Sequence, residues 1–199
     1  MKTRKVGTVV LGAAVSAAFA GLLAASPAQA ACASFWGMGN GNGCTSTFGN
    51  AAVITGASGS ATAAGGFGNT AIALGDGATA VTAGFFSTAI ASGPNSYATA
   101  VGVGNLAADL ANEDNEGSRA MASGLFNRAI NVGNNNTALA ISGSTPKLDL
   151  QSGNIDIGNN TALNIGNDNT ALVGSVAKNL PGGFSNGVYN LGDLSLIHI

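Results

Sequence analysis

The sequence predicts an all-β fold: a β-solenoid (β-roll or β-helix) of strand–turn units of eight or nine residues, behind a disulfide-clamped N-terminal cap. Three observations carry that expectation. Gly75, Gly84, Gly93 and Gly102 fall nine residues apart. Ahead of them run Asn69-Thr70-Ala71-Ile72-Ala73-Leu74, Ala78-Thr79-Ala80-Val81-Thr82-Ala83, Ser87-Thr88-Ala89-Ile90-Ala91-Ser92 and Ser96-Tyr97-Ala98-Thr99-Ala100-Val101, four versions of one alternating pattern. Glycine accounts for 31 of 199 residues and aromatics for only 6%, so a globular core would be poorly filled, whereas a thin stacked sheet lined by Ala, Val and Ile suits the composition.

Residues 1–30 have the layout of a secretory signal. Lys2, Arg4 and Lys5 form a basic start, Val6–Ala25 is an apolar run, and Ala28-Gln29-Ala30 supplies the cleavage pattern. Cleavage after Ala30 would leave four basic residues against nine acids, a formal charge of −5.

Residues 31–50 form the cap. Cys32 and Cys44 are the only cysteines, and in an exported chain they are expected to close a disulfide around a Gly-rich loop. Metal binding would need further Cys or His ligands, and a redox pair would need a C-x-x-C spacing. Phe35, Trp36 and Phe48 are expected to plug the end of the solenoid.

Residues 51–178 carry the repeats. Each unit alternates small and β-branched residues for five or six positions and stops at Gly beside Asn, Asp or Ser, which is strand followed by turn chemistry. An odd period rules out one continuous strand, because a nine-residue shift would send the Ile72/Val81/Ile90 column to opposite faces. A turn must therefore reset the register in every unit. That column is expected to lie in the stacked interior. Asn69, Asn127, Asn136, Asn160 and Asn169 precede their strands at matching positions, suited to turn hydrogen bonds or asparagine ladders. An acidic insertion, Asp109–Gly117, interrupts the first block, and 144–152 reads as a crossing loop. A second block has a shorter beat, with Gly158, Gly166 and Gly174 eight apart. Residues 179–193 read as an irregular tail. Leu194-Ser195-Leu196-Ile197-His198-Ile199 reads as the translation of a sequencing adaptor, which would make His198, the only histidine, foreign to the chain.

The units resemble the head repeats of trimeric autotransporter adhesins, whose sheets coil as left-handed β-rolls. The likeness lies in Thr70-Ala71-Ile72-Ala73-Leu74-Gly75, Ser87-Thr88-Ala89-Ile90-Ala91-Ser92-Gly93 and Ser96-Tyr97-Ala98-Thr99-Ala100-Val101-Gly102. The Ala-rich leader and the Asn-Gly repeats are also similar to Gly/Asn-rich exported repeat proteins of actinobacteria. The glycine spacing is longer than the adhesin family shows, and no heptad stalk is visible. The resemblance implies surface exposure and a β-solenoid.

The side chains offer little chemistry. The acidic balance argues against nucleic acid and against binding to anionic lipid, both of which need clustered Lys and Arg. Without a natural histidine there is no Ser-His or Cys-His pair. Asp76, Asp156 and Asp168 stand singly, whereas paired-carboxylate catalysis needs two brought together. Glu113, Asp114 and Glu116 read as a solvated loop, with a weak Ca²⁺ site as the sharper alternative. No phosphate-loop lysine follows the Gly-Asn runs. Thr70, Thr79 and Thr88 are equally spaced, yet two units per coil would put Thr79 on the opposite face and break a lattice-binding array. The expectation is a secreted or surface-associated structural or adhesive repeat protein. It would have no catalytic residues, cofactor or metal, and no membrane insertion of the mature chain. Its partner would be a host or cell-surface component or another copy of itself. A polysaccharide-acting solenoid enzyme and an ice-type lattice binder are the alternatives.

Overall fold

A computed structural model describes residues 32–39, 41–56, 58–111, 117–142, 159–175, 186–192 and 196–198. The secretory-signal assignment, the crossing loop and the acidic trio Glu113, Asp114 and Glu116 lie outside the described residues, as do most of the irregular tail and parts of 194–199.

The chain is an all-β solenoid in which successive strands alternate between two eight-stranded sheets. The first sheet holds β1 (Cys32–Phe35), β3 (Ala51–Thr55), β5 (Thr70–Leu74), β7 (Thr88–Ser92), β9 (Leu106–Leu110), β11 (Arg128–Val132), β13 (Thr161–Ile165) and β15 (Gly187–Leu191). The second holds β2 (Cys44–Ser46), β4 (Ser60–Ala64), β6 (Thr79–Phe85), β8 (Tyr97–Val103), β10 (Arg119–Leu125), β12 (Thr137–Ser142), β14 (Thr170–Ser175) and β16 (Leu196–His198). One coil is thus two units, and Thr70 stacks on Thr88 while Thr79 stacks on Tyr97 in the other sheet. The turns make the change of sheet. Gly84 stands at φ 119°, and a Cβ there would collide with the Gly102 carbonyl of the next coil, so only glycine fits.

Alternation along each strand sends one set of side chains inward, and in the middle coils that set is mostly alanine. Ala71, Ala73, Ala80, Ala89, Ala91, Ala98, Ala100, Ala129, Ala138, Ala140, Ala162 and Ala171 are fully buried. The Ile72/Val81/Ile90 column therefore does not form the interior. Ile72 and Ile90 pair in register on the outer face of the first sheet, Val81 lies on the outer face of the second, and all three are half-exposed. The reason is room: in the middle coils the second position of each strand accepts one methyl, while the fourth takes Ala, Thr82 or a short polar side chain, with Ile54 in the first coils and Val173 and Val188 in the last. Most of the larger apolar residues take the other parity and face out.

Insertions leave the register intact. Across the acidic insertion Tyr97 pairs with Arg119, and across 143–158 Arg128 pairs with Thr161. Asp109, read from sequence as the start of the insertion, instead lies within β9, fully buried. In the second block the glycine beat is not the structural beat. Thr161 and Thr170 begin their strands nine residues apart, and Gly174 lies inside β14.

The cap is clamped by the Cys32–Cys44 disulfide, with 5.9 Å between Cα atoms. β1 runs antiparallel to β3, reversing the parallel stacking that follows. The intervening loop folds back over the end: Phe35 and Met38 exchange backbone hydrogen bonds at 2.9 and 2.8 Å, and Gly41 and Cys44 do so at 3.0 and 2.9 Å. These bonds occupy edge groups that would otherwise be open to another strand. Trp36 and Phe48, expected to plug the end, are 57% and 74% exposed. An interior one methyl deep has no space for a ring. At the far end Leu196–His198, within the segment read as an adaptor, pairs with β14.

A thin alanine interior makes a direct prediction. Ala89→Leu overpacks the space between the sheets and should lower unfolding free energy by about 2–3 kcal/mol. Ile90→Asp, one residue away on the outer face, should cost about 1 kcal/mol or less, because the carboxylate stays in water. Denaturant titrations of the two variants measure the difference, and equal losses would contradict the inward alanine register.

Candidate functional site

The turns leading from the second sheet to the first carry the most unusual surface of the protein. Phe48 lies between β2 and β3, Phe67 between β4 and β5, Phe85 at the end of β6 with Phe86 between β6 and β7, and Phe126 between β10 and β11. Stacked coils bring these turns into line. Phe67 meets Phe86 and Phe85 with ring centroids 4.9 and 5.7 Å apart, both edge to face. Trp36 extends the row beyond Phe48 at 5.1 Å. All six rings are exposed, from 43% at Phe85 to 74% at Phe48. They form an aromatic ridge along one corner, with Trp36 against Phe48, Phe67 against Phe85 and Phe86, and Phe126 one coil beyond Gly104.

Glycine and aromatic residues alternate to build it. At the turn position before the ladder residue stand Gly49, Gly68, Phe86, Gly104 and Phe126, with φ 78°, 75°, 53°, 66° and 55°. This is the left-handed region, ordinary for glycine and costing a bulky residue about 1–2 kcal/mol. Each left-handed phenylalanine lies over a glycine one coil earlier. A Cβ on Gly68 would sit 2.5 Å from Phe86 Cδ1, and one on Gly104 would sit 2.6 Å from Phe126 Cδ1. Among the described residues, the other non-glycine positions at positive φ are Trp36, Asn42, Asn95, Asn135 and Asp168. Asn and Asp tolerate this conformation; aromatic residues do not. Strain held at exposed rings points to a use for those rings.

Beneath the ridge the polar side chains are committed to the backbone. Asn50 Oδ1 accepts the Asn69 N–H at 2.8 Å, and Asn69 Oδ1 accepts the Ser87 N–H at 3.0 Å. Asn105 Oδ1 accepts from Asn127 at 2.9 Å, and Asn127 Oδ1 from Asn160 at 3.0 Å. The amide of Asn105 donates to the Val101 and Gly124 carbonyls, both at 2.7 Å. At the opposite corner Asn136 Oδ1 accepts the Asn169 N–H at 3.0 Å. The asparagines expected to form ladders do so.

A third ladder runs inside the solenoid, unmarked in the sequence reading. Where earlier coils place Ala73 and Ala91, later ones place Asp109, Asn131, Asn164 and Asn190 in register. Asn164 Nδ2 donates to Asn131 Oδ1 and Asn190 Nδ2 to Asn164 Oδ1, both at 3.0 Å. Their amides also reach the opposite sheet: Asn131 to the Arg119 carbonyl at 2.6 Å, Asn164 to Thr137 and Asn190 to Thr170 at 2.7 Å. Substitution at the fourth strand position, Thr-Ala-x-Ala becoming Thr-Ala-Leu-Asn, was the available signal. Asp109 heads this column as a carboxylate. Its Oδ2 accepts the Tyr97 N–H at 3.0 Å, while Oδ1 is buried without a hydrogen-bond partner. Burial pushes its pKa up to about 6, partly offset by the Tyr97 N–H and the neighbouring Asn131 and Ser96 side chains.

The disulfide pair Cys32 and Cys44 is joined as expected. Thr70 and Thr88 share a column, but its next members are Leu106 and Arg128, so the threonine row ends after two coils. Asp76 and Asp168 remain apart in separate turns, and among the described residues no three His, Cys, Asp or Glu side chains come together as a metal site.

The interior carboxylate gives a pH prediction with a definite sign. Asp109 binds its proton more tightly folded than unfolded. Its contribution to stability is therefore fully present below about pH 4 and is lost as pH rises through about 6. Asp109→Asn removes that dependence and gives the ladder the amide its other members have. The variant should be more stable than the parent at pH 7 by about 1–3 kcal/mol, with the gap closing on acidification toward pH 4. Paired urea titrations across this range measure the difference. A gap that does not change with pH would contradict the buried carboxylate.

No protein-family model matches the chain, and no curated protein or solved structure matches it.

Proposed function

We propose that the protein is an exported, secreted or surface-associated structural or adhesive repeat protein that works through its exterior and has no catalytic activity. The observation that carries this reading is the inversion of most of its apolar residues: alanine methyls line much of the inside, and the majority of the large apolar side chains stand outside. The outer face of the first sheet carries Ile72, Ile90, Ala108, Ile130 and Leu163 in one column and Leu74, Leu110, Val132 and Ile165 in the next, the latter interrupted by Ser92. The aromatic ridge adds an exposed edge beside them. A largely apolar surface of this extent suits a contact surface. The buried polar side chains are meanwhile occupied in holding coils together, which suits a rod more than an acid–base site.

The disulfide is compatible with an oxidising compartment, and the basic, apolar and Ala-x-Ala sections of residues 1–30 supply the route there. The partner class proposed is a host or cell-surface component or another copy of the chain. The short threonine column gives the lattice-binding alternative no continuous array.

Expression with a C-terminal epitope and fractionation tests the proposal. The chain should appear in the medium or on intact cells, begin at Ala31, and carry no free thiol. It should also bind immobilised cell-surface material at least tenfold better than a variant with serine at Phe48, Phe67 and Phe86. Retention inside the cell would overturn the export reading, and turnover of a polysaccharide panel by the purified chain would overturn the non-catalytic one.

A further inference from the structure

We propose that the aromatic ridge is the surface by which two copies of this chain pair side by side, antiparallel, about a two-fold axis near Phe86. This rests on the reading of the chain as an adhesive or structural repeat protein and names the surface by which it associates.

Area is the first argument. Six rings along one corner, each 43–74% exposed and carrying roughly 150–250 Å² of surface, together present about 600 Å² of aromatic surface. That is as large as the largest apolar patch a typical monomer shows. It is also most of the roughly 800 Å² per partner that a stable pair of proteins buries.

Chemistry is the second. The five turns that carry the ridge, 47–50, 65–69, 84–87, 102–105 and 124–127, contain no charged residue. The net acidity of the chain therefore does not oppose contact there. A sugar chain would need hydrogen-bonding groups among the rings. The ridge asparagines are instead buried, their side chains bonded to neighbouring coils. What the ridge offers is ring surface alone, and another ridge matches it.

Shape is the third. The rings recur at the coil spacing of about 4.8 Å, so two ridges share one pitch. Counting coils from Phe48, the corner carries Phe48, then Phe67, then the pair Phe85 and Phe86, then Val103 and Gly104 with no ring, then Phe126, so there is a step at Gly104. Antiparallel superposition about Phe86 brings Phe67 of one copy over the Gly104 step of the other. It also opposes Phe48 and Phe126. A two-fold pair of this kind closes on itself and does not propagate.

Preorganisation is the fourth. Phe86 and Phe126 hold a conformation that glycine takes at the same turn one coil earlier, and each ring rests on that glycine. The rings are fixed before contact, which lowers the ordering cost of association.

Sedimentation equilibrium of the full chain tests this, beside Phe86→Gly/Phe126→Gly. Glycine is the residue the neighbouring turns already use, so this variant keeps the fold; circular dichroism and an unchanged or higher Tm check that. The parent should sediment at twice the chain mass, and the variant's dimer dissociation constant should rise at least tenfold. Under mild oxidation Phe85→Cys, beside the axis, should give a covalent pair. Phe126→Cys should not, because antiparallel pairing carries the ridge ends apart. A parent at single chain mass, a trimer or larger assembly, or association unchanged in the glycine variant would each overturn the proposal. Cross-linking of both cysteine variants would overturn the antiparallel arrangement. A single-mass parent that binds phosphatidylcholine vesicles or a soluble β-glucan through the ridge would assign the surface to lipid or sugar instead. Loss of pairing with surface binding intact would leave the adhesive reading standing, and pairing without surface binding would separate them the other way.

Discussion

The narrowness of the space between the two sheets governs the rest of this structure. An interior that admits one methyl at the second position of each middle strand fixes Ala there and sends most Ile, Leu and Val to the opposite parity. Burial of a methyl group contributes about 0.8 kcal/mol, against about 1.5–3 for a full Leu or Ile. The interior is therefore a weak source of stability for each strand ordered, and cohesion must come from elsewhere. The parallel ladders supply part of it, each strand bonding to the coil before and the coil after. The corner asparagines supply another part. The side-chain amide of Asn105 joins its own coil to the next, donating to the Val101 and Gly124 carbonyls and accepting the Asn127 N–H, and so satisfies turn carbonyls that a close approach of chains would leave unpaired.

The same narrowness explains why polar groups are tolerated inside the later coils. An asparagine in a globular core needs partners on several sides. Here the inward positions stack in register, so Asn164 and Asn190 each donate to the amide oxygen of the asparagine one coil before, and Asn131, Asn164 and Asn190 all reach the facing sheet through Nδ2. Asp109 breaks the pattern because a carboxylate has no hydrogen to donate while ionised. It takes the Tyr97 N–H and leaves Oδ1 unmatched.

Period and turn chemistry made the architecture legible in the sequence: nine residues with glycine at the end could only be a strand and a corner, and two such units close a coil. The disulfide and the corner asparagines were legible for the same local reasons. The parity of the strands was not. Alternation shows that two faces differ, and ordinary burial rules assign the larger apolar residues to the inside. Which face is inside depends on the distance to the opposing sheet, a tertiary quantity that residues 70–74 do not encode by themselves. Asp109 was misplaced by its charge, which drew it into the acidic segment after it, although its spacing from Ala91 matched the repeat. The ridge was obscured by distance along the chain: Phe48, Phe67, Phe86 and Phe126 follow one another at 19 to 40 residues and line up only once the number of residues in each coil is known.

That spacing also explains why phenylalanine alternates with glycine at the ridge turn. The left-handed backbone there makes glycine the least strained choice in every coil, and a solenoid selected only for stability would use it throughout. A ring at that position needs a glycine beneath it, because a Cβ in the preceding coil would occupy the space of the ring. Successive coils therefore cannot both carry an aromatic residue at this site. Gly68 under Phe86 and Gly104 under Phe126 are as dense as the geometry allows. The earlier coils place Phe48 and Phe67 one residue before the strained position, and Phe67 in turn lies over Gly49, where a Cβ would sit 2.8 Å from that of Phe67. The ridge is thus close to the fullest row of rings this corner can display, at a cost in backbone strain that the fold itself does not require.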